Sequence, residues 1–89
     1  MKKIVTVTEV EGEGLMALLG KRVQLFCLNY IYTGILTGVN STCVLLEEAG
    51  IVYETGAFSD AKFKDVQKIG HNLYVQIGSI ESFSETSKT

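Results

Sequence analysis

The stretch YTGILTGVNSTCVLLEEAG, residues 32–50, decides how this chain folds. Residues two apart on a strand share a face, so Tyr32, Gly34, Leu36 and Gly38 point one way and Thr33, Ile35, Thr37 and Val39 the other. Glycine weakens a strand interior. A pair on one face marks a sharp bend or a close approach of another backbone, as in a small, strongly curved barrel. The polar triplet Asn40, Ser41 and Thr42 then turns the chain into a second apolar strand that starts at Cys43 and runs to about residue 53, with Gly50 placed for a bulge.

Working outward, residues 22–28 alternate Val23, Leu25 and Cys27 against Gln24, Phe26 and Leu28. Both faces are largely apolar, so one meets the core and the other a helix or a neighbouring subunit. Upstream, GLMALLGK at 14–21 is rich in helix formers and ends in Gly20, which predicts a short N-terminal helix. Residues 3–10 alternate as a short strand or ordered arm, so 1–13 is read as an N-terminal arm. Downstream, residues 73–77 and 79–83 predict two short strands joined at Gly78, and the polar end 84–89 a flexible, frayed tail. Phe58, Phe63, Val66 and Ile69 make residues 55–72 too apolar for a free loop, so this piece packs as a hairpin extension or a helical turn. The expectation is one mainly β domain with its core at 14–83: a short helix, then a five-stranded, strongly bent open barrel.

Composition restricts function more than it assigns it. The 89 residues hold one small core, and burial at that size is partial enough for oligomer contacts to matter. A hydrophobic content of 46% without proline argues against a disordered chain. No apolar run approaches the roughly 18 residues of a membrane span, and the opening MKKIVTVTEVEG has no continuous apolar stretch, so a cytoplasmic protein is expected. Cys27 and Cys43 read as small buried hydrophobes, with a disulfide left open. A lone histidine, His71, no phosphate loop and no carboxylate dyad speak against an enzyme, a metal site or a cofactor. Glu47 and Glu48 are adjacent and on a strand face opposite sides.

The Tyr32, Gly34, Leu36, Gly38 spacing, with Asn40 at an acidic position, resembles the first signature of the Sm-like family, the ring-forming RNA-binding proteins that include the bacterial Hfq group. NLYVQIGSIESF at 72–83 resembles the second signature, with Ile80 at its isoleucine and Gln76-Ile77 in place of Arg-Gly. The resemblance covers residues 15–83 and implies an SH3-like open barrel and a hexameric or heptameric homo-oligomer. In such a ring the strand at 73–77 pairs with the strand at 79–83 of a neighbour, which makes Leu73, Val75, Ile77, Ile80 and Phe83 the expected interface.

The same resemblance implies a pocket for single-stranded RNA at the inner rim, where one side chain stacks on a base, an Asn reads its edge and a cation closes over it. Those positions are Thr42, Val44 and Gln76 here, and all three have lost the chemistry. Asn40, Ser41, Thr42, Gln76 and Gly78 remain as polar or small candidates, with Tyr30 and Phe26 as stacking surfaces elsewhere. Lys62, Lys64 and Lys68 are the densest basic patch, though Asp60 and Asp65 sit among them, and the formal net charge of −2 opposes a polyanion. Two readings result: an oligomeric ring that binds RNA through a degenerate base pocket, or an oligomer that keeps the scaffold for structural or protein-interaction work.

Overall fold

In the computed structural model, which describes residues 14–89, the alternating segments form one six-stranded antiparallel sheet. The strands are β1 (Arg22–Cys27), β2 (Ile31–Val39), β3 (Cys43–Glu54), β4 (Asp65–Lys68), β5 (Leu73–Gln76) and β6 (Ile80–Glu85). Their order is β4-β3-β2-β1-β6, and β5 also pairs with β3. The long β3 is therefore the hub. Its first half, Cys43 to Leu46, pairs with β5, and its second half, Gly50 to Glu54, pairs with β4. The arm expected over residues 1–13 lies outside the described residues.

Alternation in β1 and β3 places the core on one face. Val23, Leu25, Leu36, Val44, Leu46, Ala49 and Val75 form the buried cluster, and Leu15, Leu18, Tyr32 and Val39 pack against it. Full burial of a leucine contributes about 1.5–3 kcal/mol, so Leu25, Leu36 and Leu46 dominate this small core. On the opposite face of β1 and β2, Gln24 donates through Nε2 to Ser84 Oγ at 3.0 Å and Thr33 donates through Oγ1 to the Val23 carbonyl at 2.9 Å. These bonds satisfy Gln24 Nε2 and Thr33 Oγ1, whereas Gln24 Oε1 is buried without a hydrogen-bond partner among the described residues.

Two bulges bend the β2–β3 hairpin. Thr33 pairs with Gly50 and Ile35 with Glu47, so β3 carries one extra residue opposite Gly34. That bulge includes Glu48, whose φ of 52° is unusual for a residue other than glycine. Arg22 reaches Glu48 across β2, Nη2 to Oε1 at 3.4 Å. Further along, Leu36 pairs with Leu46 and Gly38 with Leu45, which puts the second extra residue, Thr37, in β2. Glu47 and Glu48 are both exposed, and Glu48 lies in the bulge itself.

The glycine pair divides. A Cβ on Gly34 would lie 2.9 Å from the Glu47 carbonyl oxygen, 3.1 Å from Leu46 Cβ and 3.3 Å from Ala49 Cα, so glycine is required where the hairpin folds onto itself. A Cβ on Gly38 would meet only Leu45 Cβ, at 3.5 Å, an ordinary contact. The expected close approach at Gly38 is thus absent. The Thr37 bulge shifts the pleat, and Val39 packs on the core in its place.

Four more expectations change. The predicted N-terminal helix is a single 3-10 turn, Leu15–Leu18, bounded by Gly14 at φ 78° and Gly20 at φ 85°. Two glycines this close leave too few residues to nucleate an α-helix. The turn is fixed to the sheet by Gly20 N–H to the Leu36 carbonyl at 2.7 Å and Leu36 N–H to the Lys21 carbonyl at 2.9 Å. Six strands replace five, because part of 55–72 extends the β3 hairpin as β4. Another 3-10 turn, Ile77–Ser79, joins β5 to β6 where a tight turn at Gly78 was expected. Finally, β6 continues to Glu85, and beyond it Lys88 is 3% exposed, so the polar end is packed where fraying was expected.

Candidate functional site

The two turns named by the sequence do meet. Cys43 pairs with Gln76 where β3 and β5 begin and end, and Ile77 N–H donates to the Thr42 carbonyl at 2.8 Å. Asn40, Ser41, Thr42, Gln76 and Gly78 thereby share one end of the sheet, all of them solvent-exposed.

Local bonding explains what this rim can do. Asn40 Oδ1 accepts from Thr42 N–H at 2.8 Å, Thr42 Oγ1 at 3.1 Å and Cys43 N–H at 2.9 Å. An Asn before a strand start forms this kind of turn readily, and here it saturates the carbonyl oxygen that could otherwise read a base. Ser79 Oγ likewise turns inward, donating to the Gln76 carbonyl at 2.8 Å. Val44 is fully buried in the core, so the position matched to a base-reading Asn faces away from any ligand. None of these five rim residues carries a cation or an aromatic ring. Stacking, worth about 1–3 kcal/mol per base, has no partner among them.

The lysines lie elsewhere. Lys68 pairs with Gly50, seven residues along β3 from the Cys43–Gln76 step, which is about 23 Å of strand at roughly 3.3 Å per residue. Lys64 Nζ sits 3.4 Å from Glu54 Oε1, and Lys62 is exposed on the loop between β3 and β4. The basic patch and the rim are therefore two separate candidate surfaces.

A further surface is a cleft of about 170 Å³ lined by Cys27, Leu28, Asn29, Tyr30, Tyr32 and Ser79. Tyr30 leans on Tyr32 with ring centroids 6.1 Å apart and meets Tyr53 edge-on at 6.4 Å, leaving Tyr30 and Tyr53 about half exposed. Burial pushes the Cys27 thiol above its ordinary range against a hydrogen bond to Ser79, with Glu81 adding to the rise. It also pushes the Tyr32 phenol up. Both groups stay protonated at neutral pH, so Cys27 is a poor nucleophile. Cys27 and Cys43 are free thiols. Phe26, the other ring considered for stacking, is half-buried.

The expected interface residues also sort by burial. Val75 is 4% exposed and belongs to the core, whereas its neighbour Tyr74 is 68% exposed. On β6, Phe83 is 38% exposed, and Leu73, Ile77 and Ile80 are half-buried against the core. A period-2 strand cannot present Val75 and Tyr74 to the same side. The sequence reading chose the inward set on β5, although the apolar residue available to a partner there is Tyr74.

The position that sequence reasoning missed altogether is Lys88. Its Nζ donates to the Thr55 carbonyl at 2.8 Å and the Ala57 carbonyl at 2.6 Å, and lies 5.5 Å and 5.3 Å from the ring centres of Phe58 and Phe63. The only signal in the sequence was the pair of phenylalanines in a loop. Among the described residues, no group of three or more His, Cys, Asp or Glu side chains is placed to hold a metal, and no helix is long and apolar enough to cross a membrane. Comparison with models of known protein families and with curated proteins finds no match to this sequence.

Proposed function

We propose that this chain is the subunit of a closed homo-oligomer of Sm-like architecture, joined strand edge to strand edge, and that the assembly works as a structural or protein-interaction scaffold. The observation that carries this reading is the pair of sheet edges. Among the described residues β5 pairs only with β3 and β6 only with β1, and each edge strand exposes a large ring, Tyr74 and Phe83. Unpaired strand edges with apolar side chains are association sites. Two different edges that meet make a heterologous contact, which closes into a ring when the rotation permits, here a hexamer or heptamer by resemblance.

An SH3-like barrel is the form of subunit we infer. The strand order, the glycine-dependent crossing at Gly34 and the 3-10 turn between β5 and β6 support it. So does the bridge between the two ends of the sheet, in which Phe63 N–H, just before β4, donates to the Thr89 main-chain oxygen just after β6 at 3.1 Å.

Light scattering at micromolar concentration tests the assembly. A single species of six or seven subunits is expected for the unaltered chain, by the resemblance rather than by measurement. Tyr74→Glu and Phe83→Glu should each yield folded monomers, because both side chains point away from the core. A monomeric unaltered chain would sink the reading.

Single-stranded RNA binding is the second reading, favoured by the convergence of the turns at Thr42 and Ile77 on one rim. With Asn40 saturated, the rim residues offer no base readout, so binding rests on phosphate contacts of the separate lysine patch and is weak, steeply salt-dependent and indifferent to base identity. Titration with oligo-U and oligo-A across a salt series should show equal affinities, lowered alike when Lys62, Lys64 and Lys68 are all changed to Ala. Tight, salt-resistant, uridine-selective binding would restore the base pocket.

A further inference from the structure

Lys88 is buried without a carboxylate partner among the described residues, an unusual placement for an ammonium group. Simple closure of the sheet would be achieved at lower desolvation cost by an apolar side chain, since a buried cation loses its water. What surrounds Nζ is instead suited to the cation itself. Two carbonyl oxygens take two of its three N–H donors, and two phenyl faces lie within the roughly 6 Å over which a ring quadrupole attracts a cation.

The loop builds this environment without Lys88. Thr55 and Ala57 flank Gly56, whose φ of 70° is a left-handed conformation that turns the two carbonyls toward one point. Lys64 N–H donates to the Thr55 carbonyl at 3.3 Å, Asp60 N–H to the Ala57 carbonyl at 3.0 Å, and Thr55 Oγ1 to the Gly56 carbonyl at 2.9 Å. None of these bonds involves the strap after β6, residues 86–89. The strap adds one main-chain contact, Phe63 N–H to the Thr89 oxygen.

We propose that the loop over residues 55–64 is a binding site for the primary ammonium of a lysine presented by an extended polypeptide segment, and that Lys88 occupies it in cis as a plug. The carbonyl pair sets the chemical class. At 2.6–2.8 Å the oxygens require N–H donors, so a trimethylated ammonium, which aromatic-only cages accept, is excluded here by the missing donors and by size. A segment with a lysine and a free carbonyl one residue later reproduces the contacts that Lys88 Nζ and the Thr89 oxygen make with the loop. Neither exposed edge ring, Tyr74 or Phe83, is among the groups that contact the Lys88 ammonium.

The test uses the full chain carrying Lys88→Ala, which empties the site and leaves the loop's own bonds intact. Its amide NMR spectrum is followed with three probes: the capped tripeptide acetyl-Ser-Lys-Thr-amide, n-butylammonium, and butyltrimethylammonium. The tripeptide should shift the amides of 55–64 saturably, at least tenfold more tightly than in the unaltered chain. It should also bind more tightly than n-butylammonium, which has no carbonyl to accept from Phe63 N–H, and butyltrimethylammonium should not bind. Adding Phe58→Ala, an exposed residue whose loss leaves the core untouched, should weaken tripeptide binding at least fivefold. The proposal is overturned by absent binding, by equal binding to both chains, by equal affinity for the trimethylated probe, or by loss of loop protection from hydrogen exchange in Lys88→Ala, which would show that the cage does not stand without its plug.

Discussion

The two halves of β3 solve the same problem by different means. From Cys43 to Leu46 the strand is held by pairing with β5 and by a turn in which Asn40 spends its carbonyl oxygen on its own backbone. From Gly50 to Glu54 it is held by β4 and by a loop whose carbonyls and rings gather around Lys88. Both regions hold candidate residues in the sequence, the Asn40–Thr42 turn in one and Lys62, Lys64 and Lys68 in the other. The first has satisfied its polar groups internally, whereas the second directs acceptors at a cation supplied from a distant part of the chain. A polar residue near a turn therefore says little about ligands until its own hydrogen bonds are counted.

The junction between the halves is where the comparison breaks most easily. Gly34→Val drives a Cβ into the Glu47 carbonyl and the Ala49 backbone, atoms that cannot swing aside, and should destabilise the chain by about 3 kcal/mol, the upper part of the overpacking range. Gly38→Val meets only the Leu45 side chain and should cost less than about 1 kcal/mol. Thermal or urea unfolding of the two variants measures the gap, and equal losses would mean that the bend is not at Gly34.

A smaller effect sharpens the contrast at the rim. Asn40→Ala removes an acceptor that serves two main-chain N–H groups and one hydroxyl in an exposed turn, so a loss of about 1 kcal/mol is expected. Hydrogen exchange should accelerate at Thr42 and Cys43 and stay unchanged over 55–64. Faster exchange in both regions would show that the two ends of β3 are coupled through the Glu48 bulge.

Much of the strand pattern was legible before any coordinates. The alternation of Val23, Leu25 and Cys27 gave the inward face of β1, and the Asn40–Thr42 triplet gave the turn into β3. The candidate rim residues were found as neighbours, but not their bonding. What misled was the assumption of an unbroken pleat. One extra residue at Thr37 and another at Glu48 each reverse the face assignment that follows, and nothing in the local composition announces either.

The sequence by itself determined that this is a mainly β chain with an apolar strand on each side of a glycine-marked bend, because period-2 burial is a local property of side-chain order. Only the tertiary structure decided which glycine is indispensable, which face of β5 is free, and where Lys88 goes. Each of those depends on atoms brought together from far apart in the chain: Gly34 against Glu47 and Ala49, Val75 against the core, and Lys88 against carbonyls 31 and 33 residues away. Loop 55–64 acquires its meaning only when the strap after β6 crosses it, since no local rule relates a lysine near one end of the chain to two phenylalanines in its middle.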